Sequence, residues 1–215
     1  MLIVMAGLPG SGKSTIGQVL GVRLGLPVVS VDPIEAAILG AGIDSDQPTG
    51  LAAYLVAEMH AETTLAAGRS VIVDAVNAVN PAREQWIKLA QRRSMPLKFI
   101  EVMCSDPEIH RERIENRERQ LPHLQLTWHA VEQSLEDYAE WSGASAAVGR
   151  ITLDSVEPLG VNIDRAMAFL ESCDNLYAGM GSLPRTRPNS AEWITRCSPA
   201  NSRATPSRLS TSSAS

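Results

Sequence analysis

The residues best equipped for chemistry stand near the amino terminus, in Gly7-Leu8-Pro9-Gly10-Ser11-Gly12-Lys13-Ser14-Thr15. The spacing G-x-x-x-x-G-K-S is that of a loop that cradles phosphates. Gly7, Gly10 and Gly12 let the backbone turn tightly, with no Cβ in the way of an approaching anion. The loop's N–H groups then face inward as an anion nest. Lys13 brings a compact positive charge to the outer phosphates, and Ser14 offers a hydroxyl to Mg²⁺. A glycine-rich turn with an incidental lysine is the bland alternative. The context speaks against it, because the short apolar run Leu2 to Ala6 reads as a buried strand and Ile16, Val19, Leu20 and Leu24 follow at helical spacing. The ligand implied is a nucleoside triphosphate, ATP, with its Mg²⁺.

Two carboxylates stand at the ends of further apolar runs. Asp74 closes Val71-Ile72-Val73, where a carboxylate beside a phosphate loop faces the metal or else merely caps the next turn. Asp32 follows Val28-Val29-Ser30-Val31 and precedes Pro33. It is placed to orient an acceptor hydroxyl and take its proton, as phosphoryl transfer to an alcohol requires. It could also cap a helix whose first residue is Pro33, and both roles could hold.

The arginines are more ambiguous. Arg111, Arg113, Arg117 and Arg119 alternate with Glu108, Glu112, Glu115 and Glu118. Such a run can be a solvated face laced with i,i+4 pairs. It can also be a lid, over about 108–126, whose Arg113 and Arg117 share one helical face and clamp phosphate oxygens. Asn77 and Arg83 flank the exit of the third strand, where a substrate would sit. Trp128, Tyr138 and Trp141 could line an acceptor pocket or belong to the core. The four histidines show no metal-ligand spacing, and Cys104 reads as a small buried residue at a strand end.

These groups need a frame that brings them together. Five strands are expected at Leu2–Ala6, Val28–Val31, Ser70–Ala75, Leu97–Met103 and Arg150–Asp154. Helices are expected between and after them. Besides the helix after the phosphate loop and the one starting at Pro33, the one from Thr49 to Ala67 carries Leu51, Tyr54, Leu55, Met59 and Leu65; the others are Pro81–Arg93, a polar helix after Ser105-Asp106-Pro107, Leu126–Trp141 and Asn162–Ser172. Alternation of strand and helix implies parallel βαβ units and a helix-covered sheet. Ligands of such sheets bind at the carboxyl ends of the strands, where Gly7, Asp32, Asp74 and Cys104 all fall.

Composition narrows the partners. The chain has 215 residues, enough for one α/β domain with a full core. No apolar run approaches a membrane span. No basic segment precedes the first apolar run, so no signal peptide is expected. The odd and widely spaced Cys104, Cys173 and Cys197 offer neither a disulfide framework nor a zinc site, so a reducing cytoplasm is the expected setting. Residues 178–215 hold five arginines and one acid, so the net charge of −5 divides into +4 there and −9 for residues 1–177. An acidic body argues against a nucleic-acid partner. The Ser-, Pro- and Arg-rich stretch 178–215 is expected to be a disordered tail behind a domain of residues 1–177.

The chain resembles the P-loop kinases of the polynucleotide-kinase and zeta-toxin type, a group often labelled AAA-family ATPase. The resemblance spans residues 1 to about 172. It rests on Gly7 to Thr15, on Asp32 after the second strand, on Val73-Asp74-Ala75-Val76-Asn77 followed by Asn80-Pro81-x-Arg83, and on Arg113-x-x-x-Arg117. It implies a three-layer P-loop NTPase fold with a five-stranded parallel sheet, helices on both faces and a small helical lid. It also implies that Asp32 is the base toward an acceptor hydroxyl and that lid arginines hold ATP phosphates. The polynucleotide kinases carry an arginine three residues after that aspartate, and here the position is Glu35. Transfer of the γ-phosphoryl group of ATP to a small hydroxylated molecule is therefore the expectation. A regulatory ATPase without an acceptor and a 5′-hydroxyl nucleic-acid kinase are the alternatives.

Overall fold

The segment Leu2–Ala6 has no polar side chain, and all five of its residues are buried. Such a strand must lie at the centre of a sheet covered on both faces. In the computed structural model, which describes residues 1–44, 46–118 and 138–172, it does. The strands are β1 (Leu2–Ala6), β2 (Val28–Ser30), β3 (Val71–Asp74), β4 (Leu97–Met103) and β5 (Arg150–Asp154), in the order β2-β3-β1-β4-β5. All four pairings are parallel, with Leu2 opposite both Val71 and Leu97. The five-stranded parallel sheet is thus as expected.

Six α-helices are described: α1 (Lys13–Leu24), α2 (Val31–Gly40), α3 (Thr49–Ala66), α4 (Asn80–Arg93), α5 (Pro107–Glu118) and α6 (Leu159–Glu171). They cover both faces. On one, Ile16 and Leu20 of α1 and Ile163, Ala166 and Leu170 of α6 pack on Ile3, Met5, Ile72, Ile100 and Leu153. On the other, α3 and α4 bury Ala53, Ala57, Ala61, Leu65, Trp86 and Leu89 against Leu2, Val4, Val71, Val73 and Phe99. The buried stripe of α3 is therefore built mainly of alanines four residues apart, small enough to let the helix lie close on its neighbours. Leu51, Leu55 and Met59, three of the large residues at helical spacing, are exposed instead.

Element boundaries shift where local chemistry allows. Helix α2 begins at Val31, so Asp32 lies in its first turn rather than at its cap, which is Ser30. Pro33 is tolerated there because first-turn N–H groups have no helical partner. Helix α6 begins at Leu159, ahead of Asn162, whose side-chain amide donates to the carbonyls of Asp154 and Glu157. Residues 138–142 are not helical, and a short 3-10 turn follows at Gly143–Ala147. The rest of the helix expected at Leu126–Trp141 lies outside the described residues. So do residues 119–126 of the expected lid and the tail 178–215. No helix among the described residues is long and apolar enough to cross a membrane.

Candidate active site

The loop after β1 runs straight into α1, and its glycines are needed where they stand. Gly7 has φ +141°, and a Cβ there would lie 2.2 Å from the carbonyl oxygen of Val102 on β4. Only glycine lets the chain leave the sheet at this angle. Gly10, at φ +77°, lies under α5, where a Cβ would meet Ile114 Cδ1 at 2.7 Å and His110 Cδ2 at 3.0 Å. The His110 ring nitrogen Nε2 is 2.6 Å from the carbonyl oxygen of Pro9. Helix α5 is thus seated directly on the loop.

Above the loop opens a crevice of about 600 Å³ at the carboxyl end of the sheet. Gly10, Gly12, Lys13, Ser14 and Thr15 form its floor, and Ser30, Asp32, Pro33 and Asp74 line it from the tips of β2 and β3. Arg113 and Asn116 of α5 line it as well, together with Ser155, Glu157, Leu159 and Asn162 after β5. Gly7, Leu8, Pro9 and Ser11 complete the loop behind that floor. Lys13 is only 2% exposed although it carries a charge.

Asp74 is likewise buried. Ser30 Oγ donates to its Oδ2 at 3.2 Å, while Oδ1 has no partner. A buried carboxylate oxygen left unpaired is costly unless a cation meets it. The donor set of Asp74 and the Ser14 hydroxyl is hard oxygen, the kind Mg²⁺ prefers, and two side chains suffice when phosphates and waters complete the shell. Among the described residues no group of three or more His, Cys, Asp or Glu side chains could hold a metal by itself.

Arg113 reaches across from α5. Its Nη1 donates to Ser155 Oγ at 2.7 Å and its Nη2 to the Ser155 carbonyl at 3.2 Å. A Cβ built on Gly12 would lie 3.7 Å from that Nη1, so the guanidinium overhangs the phosphate loop. Arg117 lies in α5, but its side chain is outside the described residues. Cys104 is half-buried, with Arg113 Nη1 3.7 Å from its sulfur.

Asn77 and Arg83 do not line the crevice. Both are fully buried. Asn77, at φ +50°, donates through Nδ2 to the Met5 carbonyl and accepts from Trp86 Nε1, each at 2.8 Å. Arg83 donates to the carbonyls of Asn77, Ala78, Ala139 and Glu140 and to Asn80 Oδ1. Its guanidinium stacks 4.0 Å from the Trp141 ring centroid. Burial lowers its pKa, but an arginine stays charged. Tyr138 and Trp141 belong to the same structural cluster, both donating to Glu101 Oε1 at 2.8 Å. The two motif residues thus tie the chain that leaves β3 to β1, to α4 and to residues 139–141. Arg83→Met should strand the buried Asn77 carbonyl and three part-buried ones and cost about 3–5 kcal/mol, a fall of order 10 °C in Tm. Thermal melts would check this, and an unchanged Tm would contradict the assignment.

Several lining residues were not expected from the sequence. Ser30, Asn116, Ser155 and Glu157 carry no motif of their own. Ser30 and Ser155 could have been found by extending the strand-end rule to every residue at the tips of β2 and β5.

A family model described as an AAA domain matches residues 2–140. Among solved structures, a sugar kinase from Janibacter sp. HTCC2649 is 20% identical, with a TM-score of 0.57 over 79% of this chain and 94% of its own. A gluconokinase from Sinorhizobium meliloti 1021 is 18% identical, with a TM-score of 0.55 over 78% and 89%. Kti12 of Chaetomium thermophilum, in complex with ADP-AlF3, is 18% identical, with a TM-score of 0.60 over 78% and 98%. At these identities the likenesses show the fold. No curated protein matches the chain.

Proposed function

The chain belongs to this AAA domain family, and from that premise we propose that it is an ATP- and Mg²⁺-dependent kinase that transfers the γ-phosphoryl group to a hydroxyl of a small molecule. The observation that carries the proposal is the convergence of Lys13, Ser14, Asp32, Asp74 and Arg113 on one crevice. A nucleotide-binding switch needs the loop and a metal site. It has no need of a second carboxylate at the tip of β2, across the crevice from an arginine. The names of the sugar kinase and gluconokinase neighbours support an acceptor of the hydroxylated, small-molecule kind.

Each residue then has a task. The loop amides and the N-terminus of α1 hold the β- and γ-phosphates, with Lys13 offsetting their charge. Ser14 and Asp74 hold Mg²⁺, which when bound neutralises phosphate oxygens. Asp32 accepts the proton of the acceptor hydroxyl. That oxygen bonds to the γ-phosphorus as the bond to the bridging β,γ-oxygen breaks, leaving ADP and a phosphate monoester. Arg113 and Arg117 stabilise charge on the transferred group.

A panel of hydroxylated metabolites, nucleosides and 5′-hydroxyl oligonucleotides incubated with ATP and Mg²⁺ tests this. At least one small molecule should be phosphorylated by the wild type and none by Lys13→Ala. ATP turnover with no organic phosphate formed would favour a regulatory ATPase. Phosphorylation confined to oligonucleotides would overturn the small-molecule acceptor.

A further inference from the structure

The phosphate loop opens with a four-residue turn, Leu8-Pro9-Gly10-Ser11, closed by the Ser11 amide, which donates to the Leu8 carbonyl at 3.1 Å. Pro9 and Gly10 are its central pair, and Gly10 stands at φ +77°. Proline followed by a left-handed glycine is the type II pattern. Type II differs from type I chiefly by a half-rotation of the central peptide, which carries the Pro9 carbonyl on one edge and the Gly10 N–H on the other. The proline ring sets φ at position 9 and leaves ψ free to turn. Glycine accepts either sign of φ at position 10. The flip therefore needs a hold from outside the turn.

His110 of α5 supplies one. It is 5% exposed, and its Nε2 lies 2.6 Å from the Pro9 carbonyl oxygen. A carbonyl oxygen only accepts, so Nε2 carries the proton. The helix that bears this donor is well anchored. Asp106 Oδ1 accepts from the Glu108 and Ile109 amides at its start, and the His110 amide donates to the Asp106 carbonyl at 3.0 Å. Ile114, one turn beyond His110 and fully buried, lies against Gly10. Pro9 is buried, while Gly10 lines the crevice. The peptide between them is trans, so its C=O and N–H point in opposite directions.

We infer that His110 is a positioning residue for the phosphate site: by holding the Pro9 carbonyl toward α5, it turns the Gly10 N–H the other way, into the crevice, as one of the donors that meet the phosphates. The inference rests on the ATP-binding reading above. The opposite flip would present a carbonyl oxygen to the anion, putting a repulsion where the nest needs an attraction. His110 thus acts through the peptide it grips and touches no phosphate itself.

Two variants separate this role from simple packing of α5 on the loop. His110→Leu keeps much of the bulk and removes the N–H; His110→Gln keeps an N–H donor. The probe is inorganic tripolyphosphate with Mg²⁺, titrated by calorimetry at a temperature where circular dichroism shows each protein folded. His110→Leu should raise its Kd by about tenfold or more, and His110→Gln should stay within about threefold of wild type, as loss and retention of one donor facing a charged ligand require. In ¹⁵N-resolved spectra the Gly10 amide should shift on tripolyphosphate binding in wild type and His110→Gln but not in His110→Leu. A lower Tm in His110→Leu with unchanged Kd, or equal weakening in both variants, would assign His110 to packing and overturn the inference while leaving the ATP reading intact. A wild-type Gly10 amide indifferent to bound tripolyphosphate would overturn it without any variant. Wild type that binds neither tripolyphosphate nor ATP would sink both.

Discussion

Asp32→Asn should reduce phosphoryl transfer by about 10²–10⁴-fold while leaving ATP affinity within a few-fold of wild type. That loss corresponds to roughly 3–5 kcal/mol of transition-state stabilisation. The split between chemistry and binding follows from position. Asp32 lies in the first turn of α2 and lines the crevice from the tip of β2, on an element other than the loop proposed to hold the nucleotide. Asparagine keeps the shape and the helix start but cannot accept the proton. The fall should therefore appear in kcat, with ATP binding measured by calorimetry little altered. A variant that keeps its kcat would show that Asp32 only begins a helix.

Lys13→Ala should act on the other half of the site. Transfer should drop by about 10³-fold or more, since a charge aimed at the reacting phosphates in a buried site is lost. Unlike Asp32→Asn, it should also weaken ATP binding. The stability signature is distinctive. Lys13 is 2% exposed, so its ammonium is held out of water at a cost while no phosphate is present. The unliganded variant should melt no lower than wild type. Saturating ATP, however, should stabilise wild type by about 2.7 kcal/mol at a hundredfold excess over Kd and the variant by far less. An equal ATP-induced shift in both proteins would remove Lys13 from the phosphate site.

Much of this frame was legible in the residues. The β1 run, the loop and α1 form a strand–turn–helix whose glycine spacing has one physical purpose, and β3 ending in Asp74 follows from an apolar run closed by a carboxylate. What sequence could not show was the direction of side chains that leave a strand tip. Asn77 and Arg83 follow Asp74 by only three and nine residues, yet both turn inward, Asn77 from a left-handed backbone onto Trp86 and Arg83 from α4 onto Trp141. The orientation of α3 was hidden for a related reason. Its large residues at helical spacing suit a buried face, but its alanines fit closer to the sheet. The link from Arg113 to Ser155 joins residues 42 apart, a contact no local pattern announces.

The central claim is that the γ-phosphoryl group is passed to an organic hydroxyl. Its most direct test is the fate of that group. With γ-labelled ATP, Mg²⁺ and a small hydroxylated acceptor in excess, the label should appear in a phosphate monoester, in step with ADP, in wild type, and this transfer should be lost in Asp32→Asn. Label released only as inorganic phosphate, at a rate indifferent to acceptor and to Asp32, would contradict it.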